Sequence, residues 1–381
     1  MASKRQPRKA SPKKKAPANI RKAAPAAAGK RVDTDAAVKW YRERRPLYQS
    51  LCEKVAGIVE EVLKADGVDY HSVENRAKEL DSYEKKAERY EDATTEIHDL
   101  AGVRVIAYVE SESRRIAAKV RELFDVDTSL SEDKSMELGV DKVGYRSDHY
   151  VATLPAARCR LPEFTKFKGM KFEVQVRTIL QHAWAEIEHD RNYKFTGVLP
   201  PEIQRRFALL AGALEMADRE FDRIAAEIDT YTDEVAGKTA AGELDIPIDT
   251  ISLREYLLER FASGVDSGTL EPTFGSAEGG ARELVRELAT FGVSTLAELD
   301  RLIPDRFEGE VSSIEAGEST GNFMSLVRLI LVISDADRYF KESWQGSSWK
   351  YLTARSERHW RAFGVDVDIL AKKYGLELSE D

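Results

Sequence analysis

Residues 172–178, Phe-Glu-Val-Gln-Val-Arg-Thr, alternate between apolar and polar side chains. That period of two predicts a strand with Phe172, Val174 and Val176 on one face and Glu173, Gln175 and Arg177 on the other. A carboxylate, an amide and a guanidinium in a row on one strand face form either a solvated outer face or the wall of a site. The strand leads into a predicted helix, Ile179 to Lys194, whose spacing aligns His182, Glu186, His189 and Tyr193 on one stripe. His182 and His189 alone do not make a metal site, because no third ligand stands at a suitable spacing.

The remaining chain bounds what that strand can belong to. A length of 381 residues is enough for about two domains. Hydrophobic content of 42% and charged content of 33% are those of a soluble globular protein. Cys52 and Cys159 form neither a metal spacing nor a disulfide framework, so a reducing cytoplasm is expected. No apolar run approaches the ~18–20 residues that span a bilayer, so no membrane partner is expected.

Residues 1–31 stand apart, with eleven Lys and Arg and no acid among Ala, Pro and Ser. Such a segment cannot bury a core and is expected to be a disordered basic tail, residues 1–32. It lacks the apolar stretch of a secretory signal. Removing its cations from the net charge of −9 leaves −20 on residues 32–381. A basic arm on an acidic body is suited to RNA, tRNA or another polyanion; the alternative is a solubilising tail.

A helix is predicted over 33–65, with Val38, Tyr41, Leu51, Val55, Ile58, Val59 and Val62 at helical spacing, and Asp66-Gly67 ends it. An extended piece near Tyr70–Arg76 precedes a second helix, from about Ala77 to Tyr90, on which Lys78, Ser82, Lys86 and Arg89 share one side. Val103–Val109 reads as a central strand just after Asp99. A helix over 111–124, a polar loop over 127–143 and a strand over 150–154 follow. A long helix is predicted over 203–235, a linker over 237–250, and a helical region of unknown role over 251–381. The last region contains no catalytic constellation.

Four pieces coincide in order: Arg76-x-Lys78-x-x-x-Ser82; Asp99-Leu-Ala-Gly-Val-Arg104; Gly144-Tyr-Arg-Ser-x-His149; and Glu173-Val-Gln-Val-Arg-Thr178 followed by His182-Ala-Trp-Ala-Glu-Ile-Glu-His189. Together they resemble the synthetase domain of the RelA/SpoT alarmone synthetases, over roughly residues 70–195. The arrangement is similar to that of the small, synthetase-only members, with a C-terminal extension. The resemblance implies a nucleotidyltransferase-like α/β fold, a mixed sheet flanked by helices, over a domain set at 33–236. It implies transfer of pyrophosphate from ATP to the 3′-hydroxyl of GDP or GTP. By the same resemblance, Arg76, Lys78, Ser82, Lys86, Arg89 and Arg104 bind ATP. Asp99 and Glu173 hold Mg²⁺ and, with Gln175, form the catalytic set. Tyr145 stacks on the acceptor base, while Gln175, His149 and His182 line the acceptor side. Apart from the resemblance, Lys134, Lys142 and Arg146 lie in or beside the acceptor loop and are expected to supply cations for the acceptor's 5′ phosphates. The hydrolase half of bifunctional members is not expected.

These residue types suit the chemistry. Phosphoryl-type transfer depends on positioning and charge neutralisation more than on covalent catalysis. Carboxylates offer hard oxygen ligands to Mg²⁺, and Arg clamps phosphate with two hydrogen bonds. One position departs from the family pattern: Asp141 stands where a Lys is common, and Lys142 follows it. This leaves open a toxin-like relative that pyrophosphorylates the 3′ end of tRNA. A non-catalytic nucleotide-sensing module is the third reading, opposed by the presence of both Asp99 and Glu173. A homo-oligomer is compatible with all three. A chain shortened to begin at Val32 should keep its turnover on free nucleotides and lose salt-sensitive RNA retention. Filter binding across a salt series checks this, and undiminished RNA retention at low salt would refute the tether.

Overall fold

A computed structural model of the chain describes residues 34–131, 147–194, 200–275, 279–307, 309, 321–344 and 349–378, with side chains excluded over 188–194. Two compact units divide at Asp222/Arg223. In the first, helix α1 (Thr34–Ala65) precedes strand β1 (Ser72–Ala77). Helices α2 (Leu80–Ala87) and α3 (Ala93–Glu96) lead to β2 (Ala101–Ala107). Helix α4 (Glu110–Leu123), β3 (Asp125–Val126), β4 (Asp148–Thr153), β5 (Phe172–Thr178) and α5 (Ile179–Lys194) follow. Helix α6 (Pro201–Ala240) passes the dividing point.

The sheet has the order β1-β2-β5-β4-β3. Only the β2–β5 pairing is parallel; β1–β2, β4–β5 and β3–β4 are antiparallel. This is the expected mixed sheet flanked by helices. The alternation in β5 is reproduced in burial: Phe172, Val174 and Val176 are enclosed, while Glu173 and Gln175 are half-buried. Helix α1 covers the core with Tyr41, Leu51, Val55, Val59 and Leu63, a stripe repeating at one turn. Phe124, at the end of α4, meets Phe172 edge to face at 5.0 Å.

The second helix is shorter than the Ala77–Tyr90 predicted. Strand pairing claims its first residues: Ala77 pairs with Ala101, and the Lys78 amide donates to the Leu100 carbonyl at 3.0 Å. Glu79 is extended as well (φ −68°, ψ 145°), so the helix begins at Leu80. Arg89 and Tyr90 lie in a turn, their amides bonded three residues back. Lys78 and Arg89 therefore flank α2 rather than share its face with Ser82 and Lys86.

In the second unit, α7 (Thr250–Arg260), α8 (Ala262–Asp266), α9 (Gly280–Thr290), α10 (Leu296–Asp300) and α11 (Phe323–Arg338) are followed by α12 (Ala354–Ala362) and α13 (Val367–Tyr374). The region is mostly helical, as expected. The stretch expected as a linker, 237–250, is instead structured. Helix α6 runs to Ala240, and Leu244 and Ile246 accept amide bonds from Ala297 and Leu296 while Ile248 donates to Ser294. Ile246 is buried in this unit's core. Inside that core Arg328 grips Glu287 with two hydrogen bonds, 3.0 and 2.6 Å, and reaches Glu283 at 2.9 Å. The Tyr339 hydroxyl donates to the same Glu287 at 2.8 Å. No helix among the described residues is long and apolar enough to cross a membrane.

Phe172 is fully buried and anchors the apolar face of the strand whose other face carries Glu173. Phe172→Ala should cost the first unit about 3–5 kcal/mol, because the ring leaves a cavity that α4 cannot fill. Urea unfolding checks this, and a loss under about 1 kcal/mol would show that the sheet closes over the gap.

Candidate active site

The sheet register sets two polar rows across one face. Arg76 on β1 lies opposite Gly102 on β2, and Gly102 opposite Glu173 on β5. Two residues along, Glu74, Arg104, Gln175 and His149 lie side by side on β1, β2, β5 and β4. Gly102 has no side chain, so the first row is open in its middle. A cavity of about 580 Å³ occupies this face. It is lined by Arg76, Lys78, Ser82, Asp99, Arg104, Glu173 and Gln175, together with Glu74, Asn75, Glu79, Gly102 and Val103.

Asp99 sits in the turn just before β2. Its Oδ2 accepts from Lys78 Nζ at 2.6 Å and from Lys86 Nζ at 2.9 Å. Its Oδ1 is buried and has no hydrogen-bond partner among the described residues. Burial opposes ionisation of this carboxyl, but the Lys78 and Lys86 ammoniums outweigh it and hold it below the ordinary carboxylate range. Lys78 is fixed from behind. Its carbonyl accepts from the Tyr41 hydroxyl at 2.6 Å and from Arg45 Nε at 3.2 Å, and Tyr41 is itself fully buried against the Tyr83 ring.

Glu173 belongs to a chain of hydrogen bonds along the sheet. Its Oε1 meets His149 Nδ1 at 2.9 Å, and His149 Nε2 meets Ser147 Oγ at 2.7 Å. Its Oε2 accepts from Gln175 Nε2 at 2.6 Å, and Gln175 Oε1 accepts from Arg177 at 2.8 Å. Burial again opposes ionisation, and the bonds from His149 and Gln175 overcome it. The Glu173 carboxyl is therefore lowered, although the nearby Asp99 charge pushes the other way. Arg104 extends to Glu186 on α5 at 3.2 Å and to Glu74 at 3.8 Å. At the end of β5, the buried Thr178 hydroxyl donates to Asp218 on α6 at 2.6 Å.

The fold thus gathers most of the residues singled out in the sequence. Arg76, Lys78, Ser82, Asp99, Arg104, Glu173 and Gln175 share the cavity, and Lys86 reaches it through Asp99. Arg89 is exposed beyond α2 and is not among the lining residues. His149 reaches Glu173 sideways from the neighbouring strand β4 and is not among the residues lining the cavity. His182 is half-buried on α5, and its Nδ1 has no hydrogen-bond partner among the described residues. Lys134, Asp141, Lys142, Tyr145 and Arg146 lie outside the described residues, as do the side chains of His189 and Tyr193. Sequence reasoning missed Tyr41 and Arg45, which act through a backbone carbonyl and carry no motif. It also left Ser147 and Arg177 without a role, although both fall inside quoted motifs. Arg177 was legible from its place on the polar face of β5.

The site sets four carboxylates, Glu74, Glu79, Asp99 and Glu173, beside four cations, Arg76, Lys78, Lys86 and Arg104. Such a surface suits a ligand that is itself a polyanion, with or without a divalent cation. Among the described residues no group of three or more His, Cys, Asp or Glu stands ready for a metal. Comparison with known proteins agrees with the motifs. A family model described as "Region found in RelA / SpoT proteins" matches residues 75–197. GTP pyrophosphokinase YjbM of Bacillus subtilis is 29% identical over 164 residues, covering 41% of this chain and 72% of that protein. GTP pyrophosphokinase YwaC of the same organism is 27% identical over 133 residues, covering 35% of this chain and 60% of that one. Among solved structures, the small alarmone synthetase 1 from Bacillus subtilis aligns with a TM-score of 0.43 at 25% identity, over 50% of this chain and 98% of that one.

The charge balance at Asp99 has a pH signature. With its folded pKa depressed, ionised Asp99 contributes stability above its unfolded value of about 3.9, and that contribution is lost as pH falls through the folded value. Lys86→Met removes one ammonium, so the variant should be less stable than the parent at pH 7. The gap should close in acid, where Asp99 is protonated in both. Urea unfolding over a pH series checks this, and a gap that does not change with pH would show that Lys86 acts through packing instead.

Proposed function

We propose, from the match of residues 75–197 to the family model of regions found in RelA / SpoT proteins, that this chain is a (p)ppGpp synthetase. It transfers the terminal pyrophosphoryl group of ATP to the 3′-hydroxyl of GDP or GTP. The bond from the 3′-oxygen to the β-phosphorus forms, the bridge to the α-phosphate breaks, AMP leaves, and the hydroxyl proton is released. The observation that carries the reading is the pairing of Asp99 and Glu173 beside Arg76, Lys78 and Arg104 in one cavity. Similarity to two proteins named GTP pyrophosphokinases supports it.

Each role follows from chemistry. Arg76 and Arg104 present planar forks suited to phosphate oxygens, and Lys78 and Lys86 present mobile point charges. Without substrate these ammoniums are balanced by Asp99; an arriving triphosphate gives them a second anion to hold. Asp99 and Glu173 are the residues that would hold Mg²⁺. The unpartnered Oδ1 of Asp99 and the hard oxygen donors of both carboxylates fit that ion, which typically takes one or two carboxylates plus substrate phosphates. When bound, Mg²⁺ supplies positive charge that offsets the charge on the transferring group. A carboxylate held below its ordinary range is a weak base, so Glu173 serves orientation and charge more than proton removal. His149, Gln175 and Arg177 keep it in one rotamer. Gln175 and His149, side by side on β5 and β4, are assigned to the acceptor side, and Tyr145 is assigned as the base-stacking group for the acceptor. His182, with Lys134, Lys142 and Arg146, completes the acceptor side.

Incubation with ATP labelled in its terminal phosphates, together with GDP, GTP or bulk tRNA, tests the reading. Label should pass to GDP or GTP. Asp99→Asn and Glu173→Gln should each lower turnover at least ~100-fold while the fold is retained, since each removes a charge that organises the transfer. Label on tRNA alone would replace the acceptor and leave the catalytic assignment standing. Near-parental turnover in either variant would overturn the assignment itself.

A further inference from the structure

Helix α5, which carries His182, starts from a buried cap. Thr178 ends β5 and precedes the first residue of α5. Its Oγ1 accepts from the Gln181 amide at 3.2 Å, and Gln181 Oε1 accepts from the Thr178 amide at 3.0 Å. This is a reciprocal capping box, with Thr at the cap and Gln three residues on. Thr178 is fully enclosed, so water cannot stand in for either partner. A hydroxyl has one proton and two lone pairs. The proton goes to Asp218 Oδ2 on α6 at 2.6 Å, which leaves the lone pairs for the Gln181 amide. Asp218 is itself buried. One turn along α6, Asp222 Oδ1 accepts from the Ser111 amide at 2.7 Å and its Oδ2 from Arg114 at 3.1 Å, both in the first turns of α4. Helices α4 and α5 follow β2 and β5, whose parallel pairing ends with Ala107 opposite Thr178. Two carboxylates on one helix therefore hold the starts of both. Phe207 of α6 adds an edge-on contact to Trp184 of α5 at 5.6 Å.

We propose that Asp218 is a positioning residue for the acceptor nucleotide: through the Thr178 hydroxyl it fixes the first turn of α5, and with it His182. This rests on the synthetase reading above, in which His182 belongs to the acceptor side. His182 stands four residues past Thr178, one helical turn from the cap. Its Nδ1 is buried and has no hydrogen-bond partner among the described residues. Leaving such an atom unpaired is costly, and a bound ligand that supplies a partner removes the cost. Helix ends fray before helix middles, so the turn holding His182 is the part of α5 most sensitive to the cap. The ATP side has separate support. Lys78 is held through its carbonyl by Tyr41 and Arg45 of α1. Glu186 of α5 does reach Arg104, but its side chain is exposed, and exposed ion pairs contribute little. Loosening the cap therefore acts on one substrate and spares the other.

Steady-state kinetics of the full chain, with ATP and GDP or GTP each varied at saturation of the other, test the proposal. Thr178→Val removes the hydroxyl at nearly constant volume. Asp218→Asn keeps the shape, but an amide can turn either its oxygen or its NH₂ to the hydroxyl, so the proton is no longer directed. Each should raise the acceptor KM about three- to tenfold and leave the ATP KM within about twofold. Thr178→Ser retains the hydroxyl and should keep the parental acceptor KM. His182→Ala should also raise the acceptor KM, and adding Asp218→Asn or Thr178→Val to it should raise it no further. Urea unfolding identifies the folded variants, and Asp218→Asn carries the test by itself if Thr178→Val does not fold. Equal rises in both KM values, or a fall in kcat with both unchanged, would show a general effect on the fold and overturn the proposal. So would an effect of Asp218→Asn that simply multiplies that of His182→Ala. No response of the acceptor KM to His182→Ala, or no transfer by the parent to either guanine nucleotide, would instead overturn the reading of the acceptor side, and the positioning role with it.

Discussion

The parallel pairing of β2 with β5 is the constraint on which the site depends. It brings the turn carrying Asp99 beside the second residue of β5, Glu173, from positions 74 residues apart in the chain. The same register lines up Arg76, Gly102 and Glu173 in one row, and Glu74, Arg104, Gln175 and His149 in the next. Because strand side chains alternate, a slip of one residue would send all of these to the apolar face. The register is protected by what lies behind it. Phe172, Val174 and Val176 cannot leave the core that α1 and α4 provide, so the polar face is held in place by the apolar one.

Concentrating charge on that face is costly, and the protein offsets the cost locally. Asp99 is balanced by two ammoniums, and Glu173 by a histidine and an amide. In neither case does burial win, and both carboxyls remain acidic. Arg177 shows the opposite result: burial and the neighbouring Arg104 lower its affinity for a proton, although a guanidinium stays charged. Carboxylates paired to neighbouring cations and amides make a surface that an extended polyanion can enter by exchanging partners. It need not desolvate bare charges.

The second unit uses the same chemistry for a different end. Glu287 is fully buried, yet it accepts two bonds from Arg328 and one from Tyr339. Breaking such a pair from one side is expected to cost about 3–5 kcal/mol, because a buried charge would be stranded. The cluster ties α9 to α11 and to the turn after it. Its charges are paired with one another, which fits a role in packing.

The sequence by itself determined the elements and the chemical character of the site. Period two over 172–178 and helical spacing over 34–65 and 179–194 follow from which side chains must leave water, and local pattern reports that directly. The residues of the site are legible because motif spacing preserves residue type: Asp99, Glu173, Gln175, Arg76 and Lys78 all stand in the motifs. What the sequence did not carry was who faces whom. Lys78 was read as a helix residue, because strand pairing with the distant segment Ala101–Ala107 cannot be seen locally; that pairing pulls Ala77 into β1 and delays the helix to Leu80. The helical spacing puts Tyr41 on the apolar stripe and says nothing of Arg45, because their target is a backbone carbonyl, which every residue has. The segment 237–250 was read as a linker from its composition, yet backbone bonds to residues near 295 hold it in place. Side-chain type is a local property and survives in one dimension. Partnership between segments far apart in the chain is decided only when the sheet register closes, and that register is a property of the tertiary structure.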